Sequence, residues 1–558
     1  MITRFVKSAH VFTAPLGAIV PMLKQLCIPG KVKVSLKVSA SLPPLATDAF
    51  LRTHLKIEAF YCPLRLVYAG FQSWFAGEQI VTTMTGQFGR AKLPFLKVPD
   101  SIVNAVNAAT SESPLSEFYQ KWLDVVFGPH SLMDYFGVKL GLENGHVKAD
   151  SSRPLPRTKF NVFPFLCYQR IVEYWYRNKL VERPFFAPIP EDPTIRPSDT
   201  EHMPWAAPFA TWRNLHGFEP NVGNAENPLG AADLLNGHLL DLRQRNYGFD
   251  YFTTALPSAQ DGNPMTVDTS GGSFTISALR AANAGQHFGE INQLAGPDYI
   301  AVDRARYNRA PSSAIAGKPV LLGSADFPMF TSGVEQQAQG DGSGATANPF
   351  AGIAARYGRA HAEGSEFVCE CNVDEPGYLF VMCSLVPEAN YAEGIAKDMT
   401  IFTEEGSISD LPVSALERIG LEPVYEDELV SINPNESGAR DVFGYQPRYM
   451  WHKAGSPNMV SGLFREGASL ESFIPQRKFD YNRVLRISTD FLKVKPTDLD
   501  NVMAVSGDLS KYGVMIDSAI NVFVSEPLGE SALPSLVDPG AEHGASVYLK
   551  RGGVSVND

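Results

Sequence analysis

The chain has 558 residues, of which 44% are hydrophobic and 11% aromatic, and this composition excludes a mainly disordered protein. Only 19% are charged, against about 25% in ordinary soluble proteins, and the 46 glycines and 41 prolines favour a loop-rich, mainly β protein. The formal net charge of −12 excludes a protein that binds nucleic acid through an overall basic surface.

The charges are unevenly distributed along the chain. Residues 1–56 carry a local excess of seven positive charges, whereas residues 402–437 carry nine acidic side chains and a single basic one, Arg418. The acidic run has two interpretations, a solvated outer face or a cation site built from carboxylates. No EF-hand spacing is present in it.

Strict alternation of apolar and polar residues over 31–38 predicts a half-buried strand. Its outward face carries Lys31, Lys33 and Lys37, a cationic row about 20 Å long at 3.3 Å per residue. Such a row can pair with several phosphates of a nucleic acid without reading its bases. Alternatively, the lysines protect an edge strand from pairing with a neighbouring chain.

The remaining periodic segments are short and are spread over the full length. Helical spacing predicts helices over 101–109, 114–127 (with Ser113 as N-cap) and 167–180. Further strands are predicted at 54–61, 251–256, 273–279, 319–323, 366–373, 378–386, 459–464, 502–505 and 519–524. The pattern predicts a mainly β, single domain over 1–558: a sandwich or jelly roll with long loop and helical insertions.

Two stretches lack this periodicity. Residues 184–236 are rich in Pro and Asn and include Trp205, Trp212 and Phe218, aromatic side chains that are costly to leave in water. We expect a long insertion there, either folded flat on its own subunit or exposed at the surface. Residues 332–349 are rich in Gly, Gln and Ser, which predicts a flexible loop.

The six cysteines are scattered and contain no CxxC pair, so we expect buried free thiols, as in a reducing compartment. The longest strongly apolar run, residues 378–386, is about half the length that a membrane span needs, which predicts no membrane insertion.

The motifs of common enzymes are missing from the sequence. It contains no HExxH, no pair of histidines four apart and no GxSxG, and residues 314–319 only partly resemble a phosphate-binding loop. We therefore predict no enzyme activity, no bound metal and no cofactor. A carbohydrate-binding or glycoside-hydrolysing β-sandwich remains the alternative, because a catalytic carboxylate pair cannot be recognised by spacing.

Aromatic and basic residues alternate near the C-terminal end, in residues 449–453 and 477–486. Single-strand binders combine stacking faces with cations in this way. Arg477, Lys478 and Arg483 are therefore candidate nucleic-acid-binding residues.

A series of short motifs resembles those of a known family, the microvirus major capsid proteins, and particularly their gokushovirus-like branch. The similar motifs recur in the family's order from end to end. They are Ile19–Pro21, Cys27–Gly30, Phe60–Arg65, Trp74–Phe75, Pro164–Phe165, Trp175–Asn178, Asp250–Thr253, Ala255–Pro257, Gln260–Gly262, Gly364–Phe367, Val386–Pro387, Phe443–Gln446, Arg448–Tyr449 and Gly462–Arg465.

The resemblance implies an eight-stranded antiparallel jelly roll, sixty copies of which close a T=1 icosahedral shell around a circular single-stranded DNA genome. It also implies a virion protein that assembles in the host cytoplasm. The implied partners are a small basic DNA-packaging protein, a minor spike or pilot protein and a host-cell surface receptor.

This chain departs from the family's pattern in three places. Residues 246–249 precede Asp250 where gokushoviruses tend to carry a more basic run. Cys62 stands where an aromatic or aliphatic residue is commoner, and the segment after Gly262 reaches its next predicted strand quickly. Gokushoviruses often carry there a long insertion that builds spikes. The departures imply a divergent branch, in which the 184–236 insertion, with Trp205, Trp212 and Phe218, is the candidate host-contacting segment.

Overall fold

A computed structural model describes most of the chain. The described residues are 2–76, 100–109, 117–155, 160–182, 239–258, 276–295, 299–307, 317–336, 355–402, 421–430, 440–454, 457–479 and 485–526, with shorter pieces between 79 and 115, at 185–186 and at 410–414.

Antiparallel strands dominate this part of the chain. The strands are β1 (Ile2–Ala14), β2 (Val20–Cys27), β3 (Gly30–Ser41), β4 (Thr53–Pro63), β5 (Gln79–Val81), β6 (Phe88–Arg90), β7 (Phe95–Leu96), β8 (Leu142–Glu143), β9 (His146–Val147), β10 (Phe160–Asn161), β11 (Val320–Pro328), β12 (Phe330–Gln336), β13 (Ala355–Val373), β14 (Gly377–Pro387), β15 (Leu421–Tyr425), β16 (Val442–Pro447) and β17 (Val514–Glu526). Two sheets are large. One has the order β1-β17-β3-β13-β12, and the other has the order β11-β4-β14-β2.

The two large sheets pack face to face around one hydrophobic core. Val32, Val34 and Leu36 of β3 point into it, as do Leu55 and Ile57 of β4. The other face of the five-stranded sheet carries the alternate, exposed residues of β3 and β17, and we call it the solvent face. The expectation of a mainly β, antiparallel sandwich is confirmed.

The helices between residues 71 and 175 cover the far side of the four-stranded sheet and form a second core with it. The helices are α1 (Phe71–Ala76), α2 (Asp100–Ala108), α3 (Glu117–Phe127), α4 (Leu132–Tyr135), α5 (Phe163–Trp175), α6 (Ile276–Ala295), α7 (Tyr299–Tyr307), α8 (Met450–Lys453), α9 (Thr489–Leu492) and α10 (Asp508–Tyr512). Phe60 and Phe380 meet residues of α2, α3 and α5 in this second core. Every residue of β14 is consequently buried, which explains its continuous apolar run.

Most of the strongly patterned elements are confirmed. The strands predicted at 31–38, 54–61, 319–323, 366–373, 378–386 and 519–524 correspond to β3, β4, β11, β13, β14 and β17. The predicted helices at 101–109, 114–127 and 167–180 correspond to α2, α3 and α5 with shifted ends. The proposed cap at Ser113 lies outside the described residues.

Four predicted strands are wrong where the structure describes them. At 251–256 the Asp250 carboxylate accepts hydrogen bonds from the backbone N–H groups of Phe252 and Thr253 at 2.9 and 2.7 Å, so the chain turns. Residues 276–279 open α6, whose alanine-rich sequence favours a helix. In the predicted strand 459–464, Gly462 has a φ of 66° and begins a 3-10 turn. The predicted strand 502–505 begins at the last residue of another 3-10 turn, which starts at Pro496.

Strands β1, β2 and β12 were not predicted. Strand β1 is at the edge of its sheet, where Phe5 and Val6, which point in opposite directions, are both well exposed. Its residues therefore show no clean two-residue period. Strand β12 takes residues 332–336 of the range expected to be a flexible loop, and residues 337–349 lie outside the described part of the chain.

All six cysteines are free and buried, as predicted. Burial raises the pKa of the Cys27 thiol to about 12 and that of Cys369 to about 11, which keeps both thiols protonated. Among the described helices, none is long and apolar enough to cross a bilayer.

We expect acid to loosen strand β1. Thr13 Oγ1 and His130 Nε2 are 2.6 Å apart, and burial lowers the pKa of both His130 and His10 below the ordinary 6.5. Folding therefore favours the neutral rings, so their stabilising contribution is present above pH 6.5 and is lost as the pH falls through the lowered values. The protection factors of the β1 amides, which compare their hydrogen exchange with the intrinsic rate at the same pH, should fall below about pH 6.

The double variant His10→Gln/His130→Asn is the control for this effect. Asn tolerates the left-handed backbone of His130, whose φ is 67°, and neither new side chain titrates in this range. An unchanged pH dependence in the double variant would contradict the assignment.

Candidate nucleic-acid interface

The lysine row of β3 lies where the alternation predicts. Lys31, Lys33 and Lys37 are exposed on the solvent face, while Val32 and Val34 between them are completely buried. Because the core holds every second residue, the lysine side chains must face away from it.

The structure places β3 in the middle of the five-stranded sheet. It pairs with β17 on one side and with β13 on the other, so its backbone groups are already bonded. The alternative interpretation, in which the lysines protect an edge strand, is therefore wrong. The lysines of β3 therefore do not block backbone pairing at a sheet edge.

Neighbouring strands add both cations and carboxylates to the solvent face. Lys7 of β1 lies across Asn521 from β3, and the exposed Arg359 of β13 continues the basic set toward β12. Sequence analysis missed both, because nothing in the local pattern of β1 or β13 shows which strands are neighbours. Glu363 and Glu370 of β13 also lie on this face.

One ion pair partly neutralises the lysine row. The Lys31 ammonium contacts the Glu370 carboxylate of β13, the adjacent strand of the same sheet, and both side chains are about half exposed. The hydrogen bond from Lys31 holds the pKa of Glu370 below its ordinary value, with Lys33 contributing through its charge. An exposed pair of this kind is weak, so a polyanion can compete for Lys31.

The C-terminal candidates behave differently from the lysine row. Arg477 is buried: it donates to the hydroxyl of Tyr391 at 3.3 Å and to the carbonyl of Phe491, and it packs on the ring of Tyr247 at 4.4 Å. It cannot reach a phosphate in solvent, so we withdraw it from the nucleic-acid-binding set. Lys478 is partly exposed near Glu466 and Glu471.

Several predicted site residues fall outside the described part of the chain. These residues are Arg483 and the three host-contact candidates Trp205, Trp212 and Phe218. Most of the 184–236 insertion is outside it as well.

The acidic run is not a solvated face at its densest point. Glu426 and Glu428 are buried, and the Glu428 carboxylate accepts from Lys397 and from the Tyr251 hydroxyl, both at 3.0 Å. Asp427 accepts two hydrogen bonds from Arg440, at 2.6 and 2.7 Å. These contacts are within the fold, so the interpretation as a solvated face is wrong for this part of the run. No group of three or more metal-ligating side chains occurs among the described residues.

A cavity of 280 Å³ beside this cluster combines Tyr251 and Trp451 with Asp398 and Glu428. Aromatic rings and two carboxylates are what the carbohydrate-active alternative requires. Glu428, however, is held by Lys397, by Tyr251 and by the backbone N–H of Tyr425. These contacts tie the carboxylate to the fold rather than leaving it available to a glycosidic bond.

The arrangement defines a class of protein: an antiparallel β-sandwich with a basic solvent face and a second face sealed by helices. Residues 265–535, just under half of the chain, match the family described as capsid protein (F protein). The chain is also 25% identical over 220 residues to capsid protein VP1 of Chlamydia phage 1. That alignment covers 38% of this chain and 35% of the relative, about a third of its length.

Both comparisons confirm the resemblance to microvirus capsid proteins that the sequence motifs predict. The family match contains strands β11–β17 and helices α6–α10, whereas the lysine row precedes it in the chain.

Proposed function

We propose that the chain is a structural, non-catalytic major capsid protein of a microvirus and that its sandwich is a jelly roll. Two strand orders support the fold. Strands β1, β17, β3 and β13 are successive neighbours in one sheet, and β2, β14, β4 and β11 are successive neighbours in the other. These eight strands, with β12 as an additional strand beside β13, support a jelly roll, because two interlocked Greek keys place strands in these two orders.

In this proposal sixty copies assemble into a T=1 shell around circular single-stranded DNA. The low charged fraction supports assembly, because subunits that cover one another can expose few charges. The observation that carries the proposal is the family match over strands β11–β17, together with this strand order. A closed shell requires heterologous contacts repeated by icosahedral symmetry.

The lysine row faces the genome in this proposal. It is the most regular cationic surface of the described sheets, and its contacts with phosphates need no base sequence. A small basic packaging protein and a minor spike or pilot protein are further proposed partners.

Electron microscopy of the expressed full-length chain tests the proposal. We expect uniform small icosahedral particles, with nuclease-protected single-stranded DNA in particles purified from phage-producing cells. A monodisperse monomer as the only form in such cells would contradict the capsid role and would favour the carbohydrate-active alternative, which glycan-array binding would then test.

We also propose that the 184–236 insertion contributes to host attachment, through Trp205, Trp212 and Phe218, because recognition usually resides in loops on a rigid scaffold. Deleting residues 190–230 should leave shell assembly intact and reduce adsorption to host cells. Particle counts and adsorption assays measure the two effects separately. Loss of particles would instead assign the insertion to subunit contacts.

A further inference from the structure

Two phenylalanine rings lie exposed beside the lysine row. Phe5 of β1 is directly opposite Phe523 of β17, and the ring centroids are 4.6 Å apart with 37° between the planes. Their exposed fractions are 46% and 42%. In a sheet whose other face is fully packed, this phenylalanine pair forms a raised apolar platform on the solvent face.

Lysines border the platform on the same face. Phe523 is directly opposite Lys33 in the pairing of β17 with β3. Two residues further along β17, Ser525 lies opposite Lys31 of β3. Two residues before Phe523, Asn521 lies opposite Lys7 of β1. Side chains on neighbouring strands and on the same face are within reach of one another. The nearest carboxylate on this face is Glu370, which is opposite Lys33 and contacts Lys31.

We propose that the phenylalanine pair is a stacking platform for the bases of single-stranded DNA, whose phosphates contact Lys7 and Lys33. The inference rests on the proposed capsid function and specifies how its genome-facing surface holds the strand. Sequence-independent single-strand binders use this combination of a cationic track and aromatic faces.

Charge and shape favour this occupant over a second copy of the chain. Two copies joined through this same face would bring their lysines together, and like charges repel, whereas a polyanion complements them. Unpaired bases offer flat apolar faces to a ring, whereas bases in a duplex are already stacked on one another. The platform therefore selects single strands over duplex.

A matched pair of oligonucleotides separates stacking from charge. Purified full-length subunits are titrated with oligothymidylate and with an abasic oligomer that has the same number of phosphates. The wild type should bind oligothymidylate about 5- to 150-fold more tightly, as one stacked base would give. The double variant Phe5→Ser/Phe523→Ser should lose that preference and keep its affinity for the abasic strand and the salt dependence of that affinity.

The control is Phe330→Ser on β12, an exposed phenylalanine (60%) at the opposite edge of the same sheet, which should leave both affinities unchanged. Equal wild-type affinity for the two oligonucleotides would overturn the stacking proposal even if shells form and enclose DNA. Loss of assembly in the double variant, with oligothymidylate binding unchanged, would assign the rings to a subunit contact and also overturn it. Failure of the wild type to form shells would count against the capsid function itself.

Discussion

The triple variant Lys31→Glu/Lys33→Glu/Lys37→Glu should form shells that contain less DNA than the wild type. All three side chains are exposed and their strand is held by neighbours on both sides, so the fold should tolerate the changes. Subunit affinity for single-stranded DNA should fall by at least about tenfold at low salt. The magnitude of the slope of log K against log salt should also decrease by about 2, because each of the three lost phosphate contacts contributes ~0.7 to it. Nucleic-acid absorbance of purified particles and oligonucleotide titrations measure these effects.

Two controls separate the genome contact from general charge effects. The Lys→Gln variants at the same positions avoid repulsion against Glu370 and should show a smaller defect in the same direction. A second triple variant, Lys121→Glu/Lys139→Glu/Lys511→Glu, makes the same change in net charge at exposed lysines outside the two large sheets. It should package normally. Normal DNA content in the β3 variant would contradict the assignment of the solvent face to the genome.

Replacing Arg477 should destabilise the subunit strongly without affecting DNA binding directly. Its guanidinium lies between the rings of Tyr247 and Phe491, at 4.4 and 4.2 Å, and it donates to the Tyr391 hydroxyl. Tyr247 donates in turn to Asp498, a buried carboxyl whose pKa burial raises above its ordinary value. Removing one member of such a buried ionic network costs about 3–5 kcal/mol. Arg477→Met should lower the urea unfolding midpoint and the yield of folded subunits.

The adjacent residue provides the control. Lys478→Met changes an exposed cation, and we expect the free energy of unfolding to change by no more than about 0.5 kcal/mol. A fully stable Arg477→Met subunit with weakened oligonucleotide binding would reverse our correction and return Arg477 to the nucleic-acid-binding set.

The chemistry of the site could be predicted only in part from the sequence. The lysine row was visible because the alternation of β3 is local and each lysine is tied to a buried neighbour by the pleat of one strand. Lys7 and the phenylalanine pair could not be found, since Phe5 and Phe523 come from opposite ends of the chain and meet only through the pairing of β1 with β17. Arg477 was assigned to the nucleic-acid-binding set because aromatic and basic residues alternate around it. Its burial could not be predicted, since Tyr247 and Tyr391, which it contacts, are distant in sequence.

By itself, the sequence determined the strands whose pattern is unbroken. Strand β3 is buried on one face and shows a two-residue period, and β14 is buried on both faces and shows a continuous apolar run. In both cases burial directly dictates the type of side chain. It also determined the family resemblance, since that depends on ordered motifs. The tertiary structure alone decided that β3 is central, that Glu426 and Glu428 are buried with partners, and that the phenylalanine pair borders the lysines. These features depend on which strands become neighbours, and strand order is set by long-range packing that no local period encodes.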